Sequence, residues 1–137
     1  RCTGNFNAGG VRATRETQRK ELGNRGERLA AAYFRQRGAQ VIASNVRYAV
    51  GEIDLIVREP DGLIVIVEVK TRRGAGFGVA EAVTPRKLAR MRKAARQWLD
   101  GKPLATVRFD VVAITVDPAS GAAQSVEHFQ GVEDGAR

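Results

Sequence analysis

The sequence predicts an α/β sandwich in which helix covers at least one face of a β-sheet. Three observations support this fold class: apolar runs typical of buried strands, two stretches with helical spacing, and the order helix, strands, helix, strand, strand. The chain has 137 residues, 43% of them hydrophobic, which suits one domain with a real core. We expect a flexible basic arm over residues 1–20, which can become helical near its end, a single domain over residues 21–130 and a frayed tail over residues 131–137.

The first predicted element is a helix that begins at Asn24 and ends at Gly38. Asn is a preferred N-cap residue, and Gly commonly follows the last helical residue. Within this segment Leu29, Ala32 and Tyr33 recur at helical spacing, so they are the predicted buried face.

Three strands are predicted next. The first covers residues 41–48 and should be irregular at Ser44-Asn45, the second covers residues 51–57, and the third covers residues 63–71. Pro60-Asp61-Gly62 joins the last two and suits a three-residue hairpin loop, with Pro at the first central position of the turn and Gly in the left-handed conformation.

A second helix is predicted to begin at Thr84-Pro85 and to end near Leu99, because Thr can cap a helix and Pro is tolerated at its first position. Its apolar stripe comprises Leu88, Met91, Ala95, Trp98 and Leu99. Its other face is basic and carries Arg86, Lys87, Arg90, Arg92, Lys93 and Arg96. That face is either solvated or in contact with phosphates.

Two strands complete the predicted sheet, a central one over residues 107–116 and an edge strand over residues 124–129. Asp110, within the first of these, is expected to pair with an Arg. His128, the single histidine of the chain, is expected to be structural or exposed and not catalytic.

The charge balance favours a polyanionic partner. The net charge is +8, which points to nucleic acid first and to an acidic membrane surface second, although such a surplus can also serve solubility alone. No apolar run reaches the roughly twenty residues of a membrane span, and the N-terminal segment has no signal-peptide pattern. With Cys2 as the single cysteine, we expect a cytoplasmic protein that does not span a membrane.

Four charged residues stand in the two hairpin strands. Alternation places Glu52 and Asp54 on one face of the first strand, and Glu68 and Lys70 on one face of the second. The three-residue loop predicts a register with Asp54 opposite Glu68 and Glu52 opposite Lys70. A slip of one residue would separate the two acids.

Opposed carboxylates about 5 Å apart would repel by roughly 3 kcal/mol at an effective dielectric constant of about 20. Either a cation is therefore expected beside Asp54 and Glu68, or one of the two carboxylates must stay protonated. Lys70 could supply the cation, in a structural charge network. A divalent ion is the other candidate, and oxygen ligands favour Mg²⁺ or Mn²⁺, since no cluster of His and Cys suggests zinc.

Residues 51–56 (GEIDLI) and 67–72 (VEVKTR) together resemble the PD-(D/E)XK, or restriction-endonuclease-like, nuclease superfamily. More closely, the chain is similar to the YraN family of small bacterial predicted endonucleases, whose relatives include archaeal Holliday-junction resolvases. Ile53 stands where the superfamily motif has Pro. The similarity extends over about residues 23–129 through four further blocks: residues 26–30, Phe77-Gly78, Ala82-Val83 with Lys87, and residues 108–111.

This resemblance implies a restriction-endonuclease-like mixed β-sheet flanked by α-helices. It also implies a metal-dependent endonuclease that hydrolyses phosphodiester bonds in DNA, with branched recombination or repair intermediates as candidate substrates and Mg²⁺, or Mn²⁺ as its substitute, as cofactor. A homodimer would suit cleavage of both strands. The alternative is a nuclease-like scaffold that binds nucleic acid or a protein without cutting.

The resemblance also implies roles for individual residues. Asp54 and Glu68 would be metal ligands, with the backbone carbonyl of Val69 as another, and Lys70 would be the catalytic lysine. Glu27 matches an acid that related resolvases bring to the metal, although it could instead be an acid favoured near a helix terminus. The nucleic-acid-binding residues would be Arg72, Arg73, Arg86, Lys87, Arg90 and Lys93, with Lys87 near the scissile phosphate.

Overall fold

The computed structural model describes residues 14–74 and 84–132. Over these residues the elements are α1 (Arg15–Gln36), β1 (Gln40–Tyr48), β2 (Gly51–Arg58), β3 (Ile64–Arg73), α2 (Pro85–Leu99), β4 (Val107–Val116) and β5 (Ala123–Phe129). The strands form one sheet in the order β1-β2-β3-β4-β5, in which β3 and β4 are parallel and the other pairs are antiparallel. The predicted α/β class is confirmed, and this mixed sheet with its helices is consistent with a restriction-endonuclease-like fold.

Each face of the sheet is covered by one helix. α1 packs on the face that carries Val65, Val67 and Val112. α2 packs on the opposite face, against Ile66 and Phe109. Both buried clusters are apolar, so burial of their side chains is the main source of stability.

The hairpin between β2 and β3 has the predicted loop. The N–H of Gly62 donates to the carbonyl oxygen of Glu59 at 2.9 Å, and the N–H of Glu59 donates to that of Leu63 at 2.8 Å. Gly62 has a φ of 94°, the left-handed conformation that a residue without a Cβ adopts readily. The loop therefore fixes the register of the strands that follow it.

That register agrees with the prediction at Asp54 and Glu68. Leu55 pairs with Val67, the last pair in the ladder, and the next step outward brings Asp54 to the position of Glu68. The predicted opposition of Glu52 and Lys70 lies beyond the paired residues.

The first helix differs from the prediction at both its start and its buried face. It begins at Arg15 with Thr14 as its N-cap, and not at Asn24. Ala32 is exposed, and Leu29 and Tyr33 are only partly buried. The buried residues are Gly26, Ala30, Ala31 and Phe34. Thr14 is also a favourable N-cap residue, and packing on β3 holds Gly26 within the helix despite the low helix propensity of glycine.

The other predicted elements agree closely with the structure. α2 has Thr84 as its N-cap and ends at Leu99, and β5 begins one residue earlier than predicted. β1 is irregular as expected, with a register shift between Val41 and Ala43 and a φ of 51° at Asn45. Neither described helix is long and apolar enough to cross a membrane.

Some predictions concern residues outside the described ranges. These are residues 1–13 of the predicted arm, the glycine-rich segment beyond Gly74 with Phe77-Gly78 and Ala82-Val83, and residues 133–137 of the predicted tail. Residues 15–20, which we assigned to the arm, are helical and belong to α1.

Candidate active site

Asp54 and Glu68 lie where β2 and β3 separate. The carboxylate Oδ2 of Asp54 accepts a hydrogen bond of 2.8 Å from the N–H of Val69. The N–H of Val69 on β3 is thus bonded to a side chain of β2 and not to its backbone. This bond fixes the Asp54 side chain beside Glu68. Val69, which we expected to contribute its carbonyl, takes part here through its N–H.

Glu68 is buried against two lysines from different elements. Its side chain is 5% exposed, and its Oε2 lies 2.5 Å from Lys87 Nζ and 3.5 Å from Lys70 Nζ. The predicted proximity of Glu68 and Lys70 is therefore observed. Lys87, which the resemblance places near the scissile phosphate, contacts Glu68 in this structure. A buried carboxylate requires such cations because its charge is costly without them.

The pKa values of this cluster depend on one another. Burial, together with the charge of Glu68, raises the pKa of Asp54 to about 7, against the effect of the Val69 N–H. Burial and the neighbouring Lys87 lower the pKa of Lys70. Burial also acts to lower the pKa of Lys87, but the hydrogen bond and charge of Glu68 outweigh it and the pKa is raised. The two carboxylates thus still repel, and the site favours additional positive charge.

Glu27 lies near Glu68 because α1 approaches β3 closely, but it lines a different cavity from Asp54 and Glu68. A Cβ added to Gly26 would lie 1.7 Å from Thr71 Oγ1, so only glycine permits this separation. The next residue, Glu27, has a raised pKa because of burial, opposed by a hydrogen bond with the Asn45 side chain and increased by the charge of Glu68. Glu27 is therefore within electrostatic reach of Glu68.

A cavity of about 290 Å³ opens beside the acids. Its lining residues are Glu52, Asp54, Glu68, Arg86, Lys87 and Arg90. Acidic groups thus border the same space as basic groups from the first turns of α2. This arrangement can hold a cation against the carboxylates and an anion against the basic side chains.

The predicted nucleic-acid-binding residues are not all on one surface. Arg86 and Arg90 border the cavity and are exposed, and Lys93 is exposed one turn further along the same side of α2. Arg72 and Arg73 point to opposite faces of β3 by strand alternation. Arg73 is exposed on the α1 side, and Arg72 is half-buried on the side of Glu68 and Lys70.

The acidic side chains at the site meet the needs of Mg²⁺ in part. Over residues 14–74 and 84–132, no three acidic, histidine or cysteine side chains are close enough together to hold a metal ion. Mg²⁺ usually takes only one or two carboxylates and completes its shell with water and substrate phosphates. Asp54 and Glu68 border one cavity and fit that requirement, whereas Glu27 contributes charge near the site.

Two residues near the acids were not assigned to the site by the sequence. Glu52 borders the cavity, and Asn45 hydrogen-bonds the side chain of Glu27. The sequence did mark Asn45 as part of an irregular strand. Asn tolerates a positive φ, and Asn45 adopts one. Glu52 was placed on the correct strand, and only the packing of α2 shows that it faces the cavity.

Comparisons with known proteins agree on one family. Residues 26–114 match the model of "Uncharacterised protein family UPF0102". A UPF0102 protein of Corynebacterium efficiens is 52% identical over 122 residues, which is 89% of this chain and 99% of that protein. One from Corynebacterium glutamicum is 48% identical over the same shares. One from Geobacter sulfurreducens is 48% identical over 113 residues, 80% of this chain and 86% of that protein. The chain therefore belongs to the UPF0102 family.

Proposed function

We propose that this protein is a metal-dependent endonuclease that hydrolyses phosphodiester bonds in DNA. The observation that carries the proposal is the meeting of Asp54, Glu68 and Lys70 beside a cavity with a basic rim. Perturbed carboxylates and lysines in a cleft are typical of catalytic sites. The nuclease-like order of motifs in the sequence supports the same reading.

Asp54 and Glu68 would hold the metal, and Glu27 would add negative charge to the site. When bound, Mg²⁺ supplies polarisation of the scissile phosphate and activation of water. Lys70 orients the attacking water and stabilises the negative charge that develops on the phosphate. Its lowered pKa means that it gives up a proton more readily than an exposed lysine does.

Arg86 and Arg90 hold the DNA backbone at the mouth of the cavity, and Lys93 extends this contact along α2. Arg72 on the side of the acids and Arg73 on the side of α1 add positive charge at the end of β3. Branched DNA is the substrate class that we favour, and a homodimer is the assembly that would cut two strands.

The test is a cleavage screen with the full chain over linear, flapped and four-way DNA in Mg²⁺ and in Mn²⁺. Asp54→Ala and Lys70→Ala are expected to lower cleavage by at least about 100-fold, the order of effect of removing one catalytic group. Arg58→Ala removes an exposed positive charge at the far end of β2 and should leave cleavage unchanged. Equal cleavage by the wild type, Asp54→Ala and Lys70→Ala would exclude this active site.

A non-cleaving, nucleic-acid-binding scaffold is the second candidate. The observation in its favour is that Glu68 already has cationic partners in Lys70 and Lys87. Calorimetric titration with Mn²⁺ separates the two functions, because the scaffold predicts no binding that depends on Asp54 and Glu68. A steep salt dependence of DNA affinity is expected for both.

A further inference from the structure

The closest cation to the buried carboxylate of Glu68 comes from α2 and not from its own strand. Lys87 Nζ is 2.5 Å from Glu68 Oε2, whereas Lys70 Nζ is 3.5 Å from the same oxygen. The Lys87 side chain is 41% exposed, compared with 28% for Lys70. The tighter contact is thus made by the lysine that has more access to solvent.

The backbone of Lys87 is held in place, whereas its side chain is partly exposed to solvent. Its N–H donates to the Thr84 hydroxyl at 3.1 Å, within the N-cap of α2. Its ammonium is carried on a four-carbon stem that borders the cavity beside Arg86 and Arg90. A change of rotamer can therefore take the ammonium from Glu68 towards the cavity mouth without moving the helix.

We propose that Lys87 is a displaceable counter-ion of the metal site. In the metal-free protein its ammonium neutralises Glu68, and it leaves that oxygen when a divalent cation binds Asp54 and Glu68. The ammonium and a divalent ion repel each other, so they cannot share one carboxylate oxygen at low cost. This inference rests on the proposed metal-dependent function.

The released ammonium joins Arg86 and Arg90 at the mouth of the cavity, where it binds a substrate phosphate. Lys70 Nζ lies 3.5 Å from the same oxygen, so its contact is the weaker one and the exchange requires only that Lys87 leave. Metal binding and phosphate binding would then strengthen each other, since each favours the same position of Lys87. Before the metal binds, Lys87 also limits the repulsion between Asp54 and Glu68.

The test is calorimetric titration of the full chain with Mn²⁺ alone at pH 8. Lys87→Met keeps the length of the side chain and removes its charge, and we expect it to bind Mn²⁺ about tenfold more tightly than the wild type, because Mn²⁺ no longer has to displace a charge-assisted hydrogen bond. Arg96→Met removes one charge from an exposed position of the same helix. Its affinity for Mn²⁺ should stay within about twofold of that of the wild type. Adding Glu68→Gln should abolish the gain.

Mn²⁺ binding that is unchanged or weaker in a folded Lys87→Met variant would overturn the proposal. Lys87→Gln provides the same comparison in case Lys87→Met does not fold, and circular dichroism shows which variants are folded. In the wild type, Mg²⁺ should also shift the ¹³Cε signal of Lys87 towards that of exposed Lys93. An unshifted signal at saturating Mg²⁺ contradicts the exchange.

The outcomes separate this inference from the proposed function. Tighter Mn²⁺ binding in Lys87→Met together with an absence of DNA cleavage by the metal-loaded wild type would refute the nuclease and leave the counter-ion role standing. Metal-dependent cleavage by the wild type without tighter binding in Lys87→Met would refute the counter-ion role alone. No Mn²⁺ binding by either protein would refute both.

Discussion

Among the described residues, two acidic side chains are buried in the sheet, Asp110 on β4 and Glu68 on β3. Asp110 accepts hydrogen bonds from Arg108 at 2.8 Å to each of its oxygens and from the Gly131 N–H at 3.0 Å. His128 Nε2 lies 2.7 Å away, and its Nδ1 lies 2.9 Å from the Tyr33 hydroxyl. Although burial acts to raise it, the pKa of Asp110 is lowered by these partners.

The cluster at Asp54 and Glu68 is not satisfied in this way. Asp54 has a pKa raised to about 7, and both side chains border a cavity. Asp110 is enclosed by protein groups on both of its oxygens, and it joins β4 to β5 and to the segment after β5, with α1 reached through the contact of His128 with Tyr33. The difference indicates that Asp110 is structural and that Asp54 and Glu68 have room for a ligand. Asp110 pairs with Arg108, as predicted, and His128 packs against Tyr33 and Phe34.

The largest expected effect on stability is at Asp110. Asp110→Ala should lower the free energy of unfolding by about 3 to 5 kcal/mol, because Arg108 and His128 lose their buried partner. Urea denaturation at pH 7 measures this loss. As a control, Asp100→Ala at an exposed position should change the free energy of unfolding by no more than about 0.5 kcal/mol. Since the pKa of Asp110 is lowered in the folded state, its stabilisation is present above the unfolded pKa of about 3.9 and is lost as the pH falls below it. A loss below 1 kcal/mol at pH 7 would contradict the structural role.

Gly26→Ala should act next most strongly, since its Cβ would lie 1.7 Å from Thr71 Oγ1 and α1 would have to move. We expect a loss of about 3 kcal/mol in unfolding free energy, at the upper end of overpacking effects, together with weaker cleavage because Glu27 moves with the helix. Gly23→Ala is the matched control: nothing lies within 4 Å of its Cβ, so it should gain about 0.5 to 1 kcal/mol from helix propensity. Equal stability of the two variants would argue against the close approach.

Asp54→Asn should raise the free energy of unfolding, whereas Asp110→Ala should lower it. Unfolded Asp ionises near pH 3.9, whereas folded Asp54 does so at about 7. Between these values the folded protein binds more protons, so wild-type stability falls as the pH rises from about 4 to about 7.

Asn keeps an acceptor for the Val69 N–H and carries no charge. The Asp54→Asn variant should therefore be more stable than the wild type by about 2 kcal/mol at pH 8, because the wild type must keep a buried carboxylate ionised at that pH. The gain should vanish near pH 4. Thermal unfolding at both pH values tests it, and a variant that is less stable at pH 8 would show that Asp54 is structural after all.

The smallest expected effect compares the two helix caps. Thr84→Ala and Thr14→Ala each remove a hydroxyl that accepts a backbone N–H, so each should cost about 1 kcal/mol of unfolding free energy. Only Thr84 caps the helix that carries Arg86, Lys87 and Arg90. Thr84→Ala should therefore also weaken cleavage several-fold, whereas Thr14→Ala should not, and similar cleavage by both would contradict this assignment.

Much of the fold follows from local signals. Thr84-Pro85 predicted the start of α2, and the loop of residues 60–62 predicted both the turn and the opposition of Asp54 and Glu68. These features depend on residues close in sequence, so they can be predicted from the local sequence alone. The start of α1 was missed because Thr14 and Asn24 are both good caps, and only packing on the sheet decides between them.

The sequence alone determined the α/β class, the hairpin register and the candidate acids, because alternation, capping and turn chemistry act over a few residues. Tertiary structure decided the contact of Lys87 with Glu68, the approach of Gly26 to Thr71 and the enclosure of Asp110 by Arg108 and His128. The contact of Lys87 with Glu68 forms only when α2 packs on the sheet, and that of Gly26 with Thr71 only when α1 does. The enclosure of Asp110 is completed by the pairing of β4 with β5. The shape of the packed core sets these contacts, and no local pattern encodes it.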